Sequence, residues 1–216
     1  YTAQQAYRAF NAQLLAEETP ADDEIVLTSG KSYSNVFHAN GGSASLSVMA
    51  NTLRGVYGTD VLLATANSFT GSVLQADYNK KMAASMIMPN GLMSRQRTMT
   101  GAELKETVRA FVEGCEGGFV PFNRGSLPVV SGIAVEVKEA GGSYTLTGIT
   151  RNGQPLRDDD TVTVTCLAAE KQMEALLASE SGTSLDGDTW VKNRWRDYVS
   201  GGGAALAEPE NYMTLR

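Results

Sequence analysis

Histidine and cysteine, two residue types that often act as catalytic bases, nucleophiles or metal ligands, are rare in this chain. His38 is the only histidine, and it stands in a polar, glycine-rich stretch, where a solvated loop residue is expected rather than a metal ligand or a catalytic base. Cys115 and Cys166 are the only cysteines, and their separation matches no metal-binding motif. We predict two buried thiols, with a disulfide as the alternative. The sequence therefore predicts no catalytic residue and no metal site in this chain.

Two short motifs match known ligand-binding patterns only in part. Gly30-Lys31-Ser32 has the ending of a phosphate-binding loop, but that pattern needs a glycine where Ile25 stands and a helix afterwards. Asp158-Asp159-Asp160 lacks the spaced oxygens of a calcium loop. Both motifs are interpreted as polar turns.

Four side chains could contact a planar or phosphorylated ligand. Phe119 and Phe122 stand in a glycine-rich loop, where they could stack on a base or fold onto the domain, and both interpretations stay open. Arg95 and Arg97 alternate along an expected strand and so share one face, either as phosphate contacts or as a solvated surface.

Composition limits the class of protein. The chain has 216 residues, of which 42% are hydrophobic and 19% charged, so it can bury a core. Its net charge of −6 argues against a nucleic-acid partner, and its apolar runs are too short for a transmembrane segment. The chain begins at Tyr1 without an initiator methionine, so we expect a piece of a longer protein.

Periodicity and turn residues predict a mixture of helices and strands without strict alternation, which favours an α+β fold. Trp190 and Trp195 are five apart and are expected to pack in a core or an interface. Helices are predicted over 2–16, from Ser43 to about Gly55, over 76–84, and after Thr100, where Glu103 completes a capping box. Gly114 is expected to end that last helix, with a loop to Gly125, and a further helix is predicted around Met173. Strands are predicted over 24–29, 60–66, 86–98 with a break at Pro89-Asn90-Gly91, 133–139, 144–151 and 161–167, the last of them being the final clear strand.

The order of motifs from Ala44 to Leu167 resembles the C-terminal domain of the 5′-nucleotidases. That family has a "TG-x-x-L" helix, a "SG" strand, a "G-x-P-L" turn and a last buried strand. The corresponding segments of this chain are Thr100-Gly101-Ala102-Glu103-Leu104, Ser131-Gly132, Gly153-Gln154-Pro155-Leu156 and Thr161–Leu167. The resemblance implies an α+β domain in which helices pack on a mixed sheet, over residues 23–216. It also implies that residues 1–22 are a linker helix from a missing upstream domain.

The resemblance implies a function divided between two domains. The domain that this chain resembles holds a nucleotide or another small phosphoester. A separate N-terminal metallophosphatase domain carries two divalent metals and cleaves UDP-sugars, cyclic nucleotides or nucleoside monophosphates. Such enzymes work outside the cytoplasm, so an extracytoplasmic location is expected, and no cofactor is expected in this chain itself.

The family's binding residues carry over incompletely. Asn67 and Gly71 match the turn after the apolar strand, but the family's arginine falls near Ser72. The positions of its two stacking aromatics fall at Val130 and Leu167, and the "GGDGY" motif is replaced. Phe69, Phe119 and Phe122 are the candidate substitutes, because base–aromatic stacking contributes about 1–3 kcal/mol per base. The alternative is a diverged interaction or structural module that has lost nucleotide binding.

Overall fold

The structure, a computed structural model, describes residues 24–88, 92–113, 128–169, 183–184 and 189–216. Its helices, in chain order, are α1 (Ala44–Tyr57), α2 (Lys80–Ala84), α3 (Gly101–Glu113) and α4 (Val191–Ser200). Its strands are β1 (Ile25–Ser29), β2 (Phe37–His38), β3 (Gly42–Ser43), β4 (Val61–Thr65), β5 (Ala76–Asn79), β6 (Leu92–Thr100), β7 (Pro128–Ser131), β8 (Ala134–Ala140), β9 (Ser143–Arg151), β10 (Gln154–Pro155), β11 (Thr161–Ala169), β12 (Thr183–Ser184), β13 (Thr189–Trp190) and β14 (Met213–Leu215). Helices and mixed sheets share one chain, so the predicted α+β class is confirmed.

The central sheet is mixed and holds the most apolar strands of the chain. Its order is β12-β6-β11-β4-β7, with β13 also pairing with β6. Strands β4 and β11 run parallel, whereas β6 with β11 and β4 with β7 are antiparallel. Every residue of Val61–Ala64 and of Pro128–Ser131 is buried. These continuous apolar runs suit strands that are covered on both faces.

Helix α1 begins and ends where its capping residues predict. The Ser43 hydroxyl accepts a hydrogen bond from the Leu46 amide at 3.4 Å, and Gly58 takes the left-handed conformation with φ 66° at the C-terminal cap. The buried face of the helix includes Met49 and Leu53, which are fully inaccessible. The predicted second helix is therefore confirmed, and it continues to Tyr57.

Helix α3 is positioned by the Thr-Gly pair that precedes it. The Glu103 carboxylate accepts from the Thr100 amide at 2.7 Å, and the Glu103 amide donates to the Thr100 hydroxyl at 3.2 Å, which is the predicted capping box. A Cβ added at Gly101 would stand 1.9 Å from the Arg157 carbonyl oxygen. The glycine thus allows the helix start to pack directly on the loop before β11.

The second sheet has the order β10-β9-β8-β14 and contains the predicted hairpin. Strands β8 and β9 pair from Ala134–Thr150 to Ala140–Ser143 around the Gly141-Gly142 turn. Asn152 and Gly153 both have positive φ, 53° and 74°, and turn the chain into β10.

The structure differs from the sequence prediction in residues 76–84. Only Lys80–Ala84 is helical, and Ala76–Asn79 forms strand β5, which pairs antiparallel with β1. The reason is a local cap and a cross-strand bond. The Asn79 side chain accepts from the Met82 amide at 2.9 Å, so the helix can begin only after Asn79. The Thr28 hydroxyl donates to Asp77 at 2.7 Å across the strand pair.

The prediction that the strand at 161–167 is the last one was wrong. Strand β11 extends to Ala169, and the chain later adds α4 and β14, which pairs parallel with β8. In α4 only Val191, Trp195 and Val199 are buried, and this narrow stripe among polar residues is a weak sequence signal. The helices predicted over 2–16 and around Met173, and the loop from Gly114 to Gly125, lie outside the described residues.

Candidate functional site

The central sheet gathers several predicted ligand contacts at one end. Asn67, Phe69 and Gly71 follow the C-terminal end of β4. Leu63 of β4 pairs with Val130 of β7 on one side and with Cys166 of β11 on the other. Val130 and Leu167 therefore flank the last residues of β4. Phe119 and Phe122 lie outside the described residues. The topology therefore places positions that are distant in sequence around one end of β4.

Exposure separates these positions into two groups. Asn67 and Gly71 are exposed to solvent. Phe69, Val130 and Leu167 are core residues with 5%, 2% and 0% exposure. A ligand can touch the first group without rearrangement, whereas the second group is inaccessible unless the core opens. Whether any of them contacts a ligand stays a prediction.

The turn that carries Asn67 is a short 3-10 helix, Ala66–Ser68, held by its own hydroxyl groups. The Ser68 hydroxyl is buried and accepts from the Thr65 amide at 3.4 Å. The loop continues to Gly71, whose carbonyl oxygen accepts from the Ser45 hydroxyl at 2.8 Å. This bond fastens the loop to the first turn of α1, so Asn67 stands on a supported turn.

The Ser-Gly pair after β7 serves packing in this chain. The buried Ser131 hydroxyl donates to the Asn51 side-chain oxygen at 2.5 Å, and the Asn51 amide donates to the Glu208 carbonyl at 2.9 Å. These bonds join β7, α1 and the C-terminal segment. Gly132 has φ 82° and lies against the Asp60 carbonyl.

A charged network at the start of β4 was not predicted. Arg151 donates to one Asp60 carboxylate oxygen at 2.5 Å, while the amide and hydroxyl of Thr163 donate to the other at 2.8 and 2.9 Å. Burial acts to raise the pKa of Asp60, but the Thr163 hydrogen bonds and the charges of Arg151 and Arg54 outweigh it and lower that pKa below its ordinary value. The network joins β4, β9 and β11, and the sequence carried no signal for it because Asp60 lies 91 positions from Arg151 and 103 from Thr163.

His38 and Cys166 lie on different sheets of the described structure. His38 is exposed on β2, and Cys166 is a buried free thiol on β11, whereas Cys115 lies outside the described residues. Burial raises the pKa of the Cys166 thiol to about 12, and the charge of Arg97 acts in the opposite direction. Arg95 and Arg97 are half-buried on β6. Among the described residues, no group of three or more potential ligands could hold a metal ion.

The acidic triplet forms a turn before β11. The Arg157 amide donates to Asp160 at 2.9 Å, and Lys105 on α3 forms an ion pair with Asp158 at 2.7 Å. Asp158 and Asp159 are exposed. The triplet thus forms a largely solvent-exposed turn that one ion pair links to α3, in agreement with the predicted polar turn.

Solved structures show what fold this is. The chain is similar to a 5′-nucleotidase precursor from Thermus thermophilus, with 14% identity, a TM-score of 0.69, and coverage of 99% of this chain and 43% of that one. It is also similar to the sulfate thiohydrolase SoxB of Thermus thermophilus, with 12% identity, a TM-score of 0.69, and coverage of 98% of this chain and 38% of that one. The NAD nucleotidase NadN of Haemophilus influenzae matches with 15% identity, a TM-score of 0.61, and coverage of 97% of this chain and 41% of that one. No protein-family model and no curated protein matches the sequence.

The fold is that of the 5′-nucleotidase C-terminal domain, which confirms the resemblance stated from the sequence. The chain spans about 40% of the length of these solved proteins. They include both nucleotidases and a sulfate thiohydrolase, so the fold alone does not select a substrate. No helix among the described residues has the length and apolar character needed to cross a membrane.

Proposed function

We propose that this chain is the substrate-recognition domain of a two-domain metallophosphoesterase of the 5′-nucleotidase type. The proposal rests on the extent of the structural match, because nearly the whole chain superposes on about 40% of each of several larger hydrolases. The remaining part of such a protein would be a metallophosphatase domain upstream in the same polypeptide. The described residues do not form the two-metal site themselves, so no chemical step is assigned to them.

The recognition surface that we propose is the loop from Asn67 to Gly71. It is exposed at Asn67 and Gly71 and fastened through Ser45, so a ligand would meet a supported polar turn. The Asn67 amide can both donate to and accept from a base or a sugar. Phe119 and Phe122 are proposed as the stacking residues, since the alternative candidate Phe69 is buried. An extracytoplasmic location is part of the same proposal.

A second candidate function is a non-catalytic interaction module. The specific observation in its favour is that Val130 and Leu167, at the positions of the family's stacking aromatics, are aliphatic and buried. A site without these aromatics would lose about 1–3 kcal/mol for each missing stack on a base. The two candidates differ in whether the chain binds a nucleotide at all.

Thermal unfolding with ligand tests the proposal. AMP, adenosine, UDP-glucose and a cyclic nucleotide are added separately to the purified chain, to Asn67→Ala and to the control Asn193→Ala, which changes an exposed residue of α4. A ligand at about one hundred times its Kd stabilises a folded domain by roughly 2.7 kcal/mol, so the melting temperature rises. We expect a rise with at least one nucleotide that Asn67→Ala reduces and Asn193→Ala preserves. If no ligand changes any melting temperature, the interaction module is the better account.

A further inference from the structure

A cavity of about 290 Å³ lies at the other end of β4 from Asn67. It is bounded by the end of α1, the start of β8, the turn between β9 and β10, and the segment before β14. A five-residue strand is roughly 17 Å long, so the cavity and the Asn67 loop are separate places on the surface. The polar residues that line the cavity are Arg54, Thr150, Asn152, Glu210 and Asn211.

Arg54 lines this cavity with unused hydrogen-bonding capacity. Its Nη1 donates to the Asp60 carbonyl at 3.4 Å, a long contact, and its Nε is buried without a hydrogen-bond partner among the described residues. The Asp60 carboxylate nearby already accepts from Arg151 and Thr163. The charge of Arg54 acts on that carboxylate without a direct contact, so donors of Arg54 remain available. A buried donor without a partner is costly, and a ligand that accepts from this guanidinium would offset part of that cost.

Glu210 lines the same cavity and is held there by its main chain. Its amide donates to the Ser47 hydroxyl at 2.8 Å, and its carbonyl accepts from that hydroxyl at 2.9 Å. Within the described part of the chain, the Glu210 carboxylate makes no ion pair with Arg54 or with another cation. The cavity is thus lined by one cationic and one anionic residue that form no ion pair with each other.

We propose that this cavity binds a small zwitterion of the α-amino-acid type. The carboxylate of the ligand accepts hydrogen bonds from Arg54, and its ammonium group donates to Glu210. A simple anion would be repelled by Glu210 and a simple cation by Arg54, so only a molecule that carries both charges satisfies both side chains. Asn152 and Asn211 supply neutral donors and acceptors for the rest of the ligand. The volume stands at the lower end of the range for small-molecule sites, which favours an amino acid over a nucleotide.

Calorimetric titration of the 216-residue chain with glycine and L-serine tests the proposal, with acetate and methylamine as probes that carry a single charge. We expect saturable binding of glycine and serine, and affinities at least about tenfold weaker for acetate and methylamine. Arg54→Gln and Glu210→Gln should each weaken glycine binding by about tenfold or more. Glu139→Gln, at an exposed position of β8 outside the cavity, should leave it unchanged.

Two results would overturn the proposal. One is the absence of saturable binding of glycine and serine at about 10 mM. The other is acetate binding as tightly as glycine and equally to the wild type and Glu210→Gln, which would mean a simple anion site at Arg54. Glu210 is exposed, so its substitution does not threaten the fold, and it decides the question even if Arg54→Gln does not fold.

Discussion

Gly132 lies directly against the carbonyl oxygen of Asp60, and a Cβ at position 132 would stand only 2.0 Å from that oxygen. The contact closes the junction between the end of β7 and the start of β4, where Asp60 also accepts from Arg151 and Thr163. The glycine of the Ser-Gly motif is thus required for packing in this chain.

Gly132→Ala is expected to destabilise the chain by about 2–5 kcal/mol, because alanine would be strained at φ 82° and would collide with the Asp60 backbone. Gly142→Ala is the matched control, since Gly142 has φ 83° with open space around it. Gly142→Ala should lower the free energy of unfolding by about 1–2 kcal/mol, which is the cost of the left-handed backbone conformation alone. Urea unfolding measures both, and equal losses would contradict the packing role of Gly132.

Trp195→Phe is expected to lower the free energy of unfolding by about 2–3 kcal/mol. Trp195 is fully buried, and its indole N–H donates to the Ala83 carbonyl at 2.8 Å, so phenylalanine would leave a void and remove one hydrogen bond from a carbonyl that also accepts from the Met86 amide at 3.1 Å. Trp190→Phe is the control, because Trp190 is 49% exposed, and it should change stability by less than about 0.5 kcal/mol. Similar losses for both variants would contradict the structural assignment of α4.

Stability should decrease in acid partly through Asp60. Burial acts to raise the folded-state pKa of Asp60, but the Thr163 hydrogen bonds and the arginine charges outweigh burial and lower that pKa. The contribution of the Asp60 carboxylate to the free energy of unfolding is therefore complete above its unfolded-state pKa of about 3.9. This contribution is lost as the pH falls through the lower folded-state pKa.

Unfolding of the wild type and Asp60→Asn between about pH 2 and pH 7 measures this contribution. The stability difference between the two proteins should be largest near neutral pH and should shrink below about pH 4. Thr163→Val, which removes the hydroxyl donor but keeps the amide donor, should show an intermediate pH dependence. A difference that does not change with pH would show that Asp60 acts only through its neutral hydrogen bonds.

Cys166 should react with a thiol reagent only when the domain unfolds. Its side chain is buried, and burial raises its pKa to about 12, so the reactive thiolate is scarce in the native state. The measurement uses the Cys115→Ser variant, so that Cys166 is the only thiol that the reagent can label. The labelling rate should rise with urea in parallel with unfolding, whereas fast labelling in native buffer would contradict the burial of β11.

The sequence predicted those elements that are defined by local signals. Ser43 and Gly58 bound α1, and Thr100 with Glu103 begins α3, because capping depends on residues only a few positions apart. Helix α4 was not predicted, since its buried face is only Val191, Trp195 and Val199, and Trp195 depends on a partner 112 positions away. The same limit applies to the Asp60–Arg151 ion pair, which joins residues 91 positions apart.

For the candidate site, sequence reasoning located positions but not their environments. It placed Asn67, Phe69 and Gly71 on one turn, and the structure has that turn after β4. The sequence did not show that Asn67 is exposed and Phe69 is buried. The burial of Phe69 depends on the antiparallel β-bridge that this residue forms with Ile87. Recognition of a ligand depends on that distinction.

Calorimetric titration of the purified chain with AMP, adenosine, UDP-glucose and a cyclic nucleotide is the decisive test of nucleotide recognition. We expect saturable binding of at least one of them, with an affinity that Asn67→Ala lowers and Asn193→Ala does not. Heats that stay at the dilution level for all four ligands at millimolar concentration would contradict it, and the chain would then be better described as an interaction module built on a nucleotidase fold.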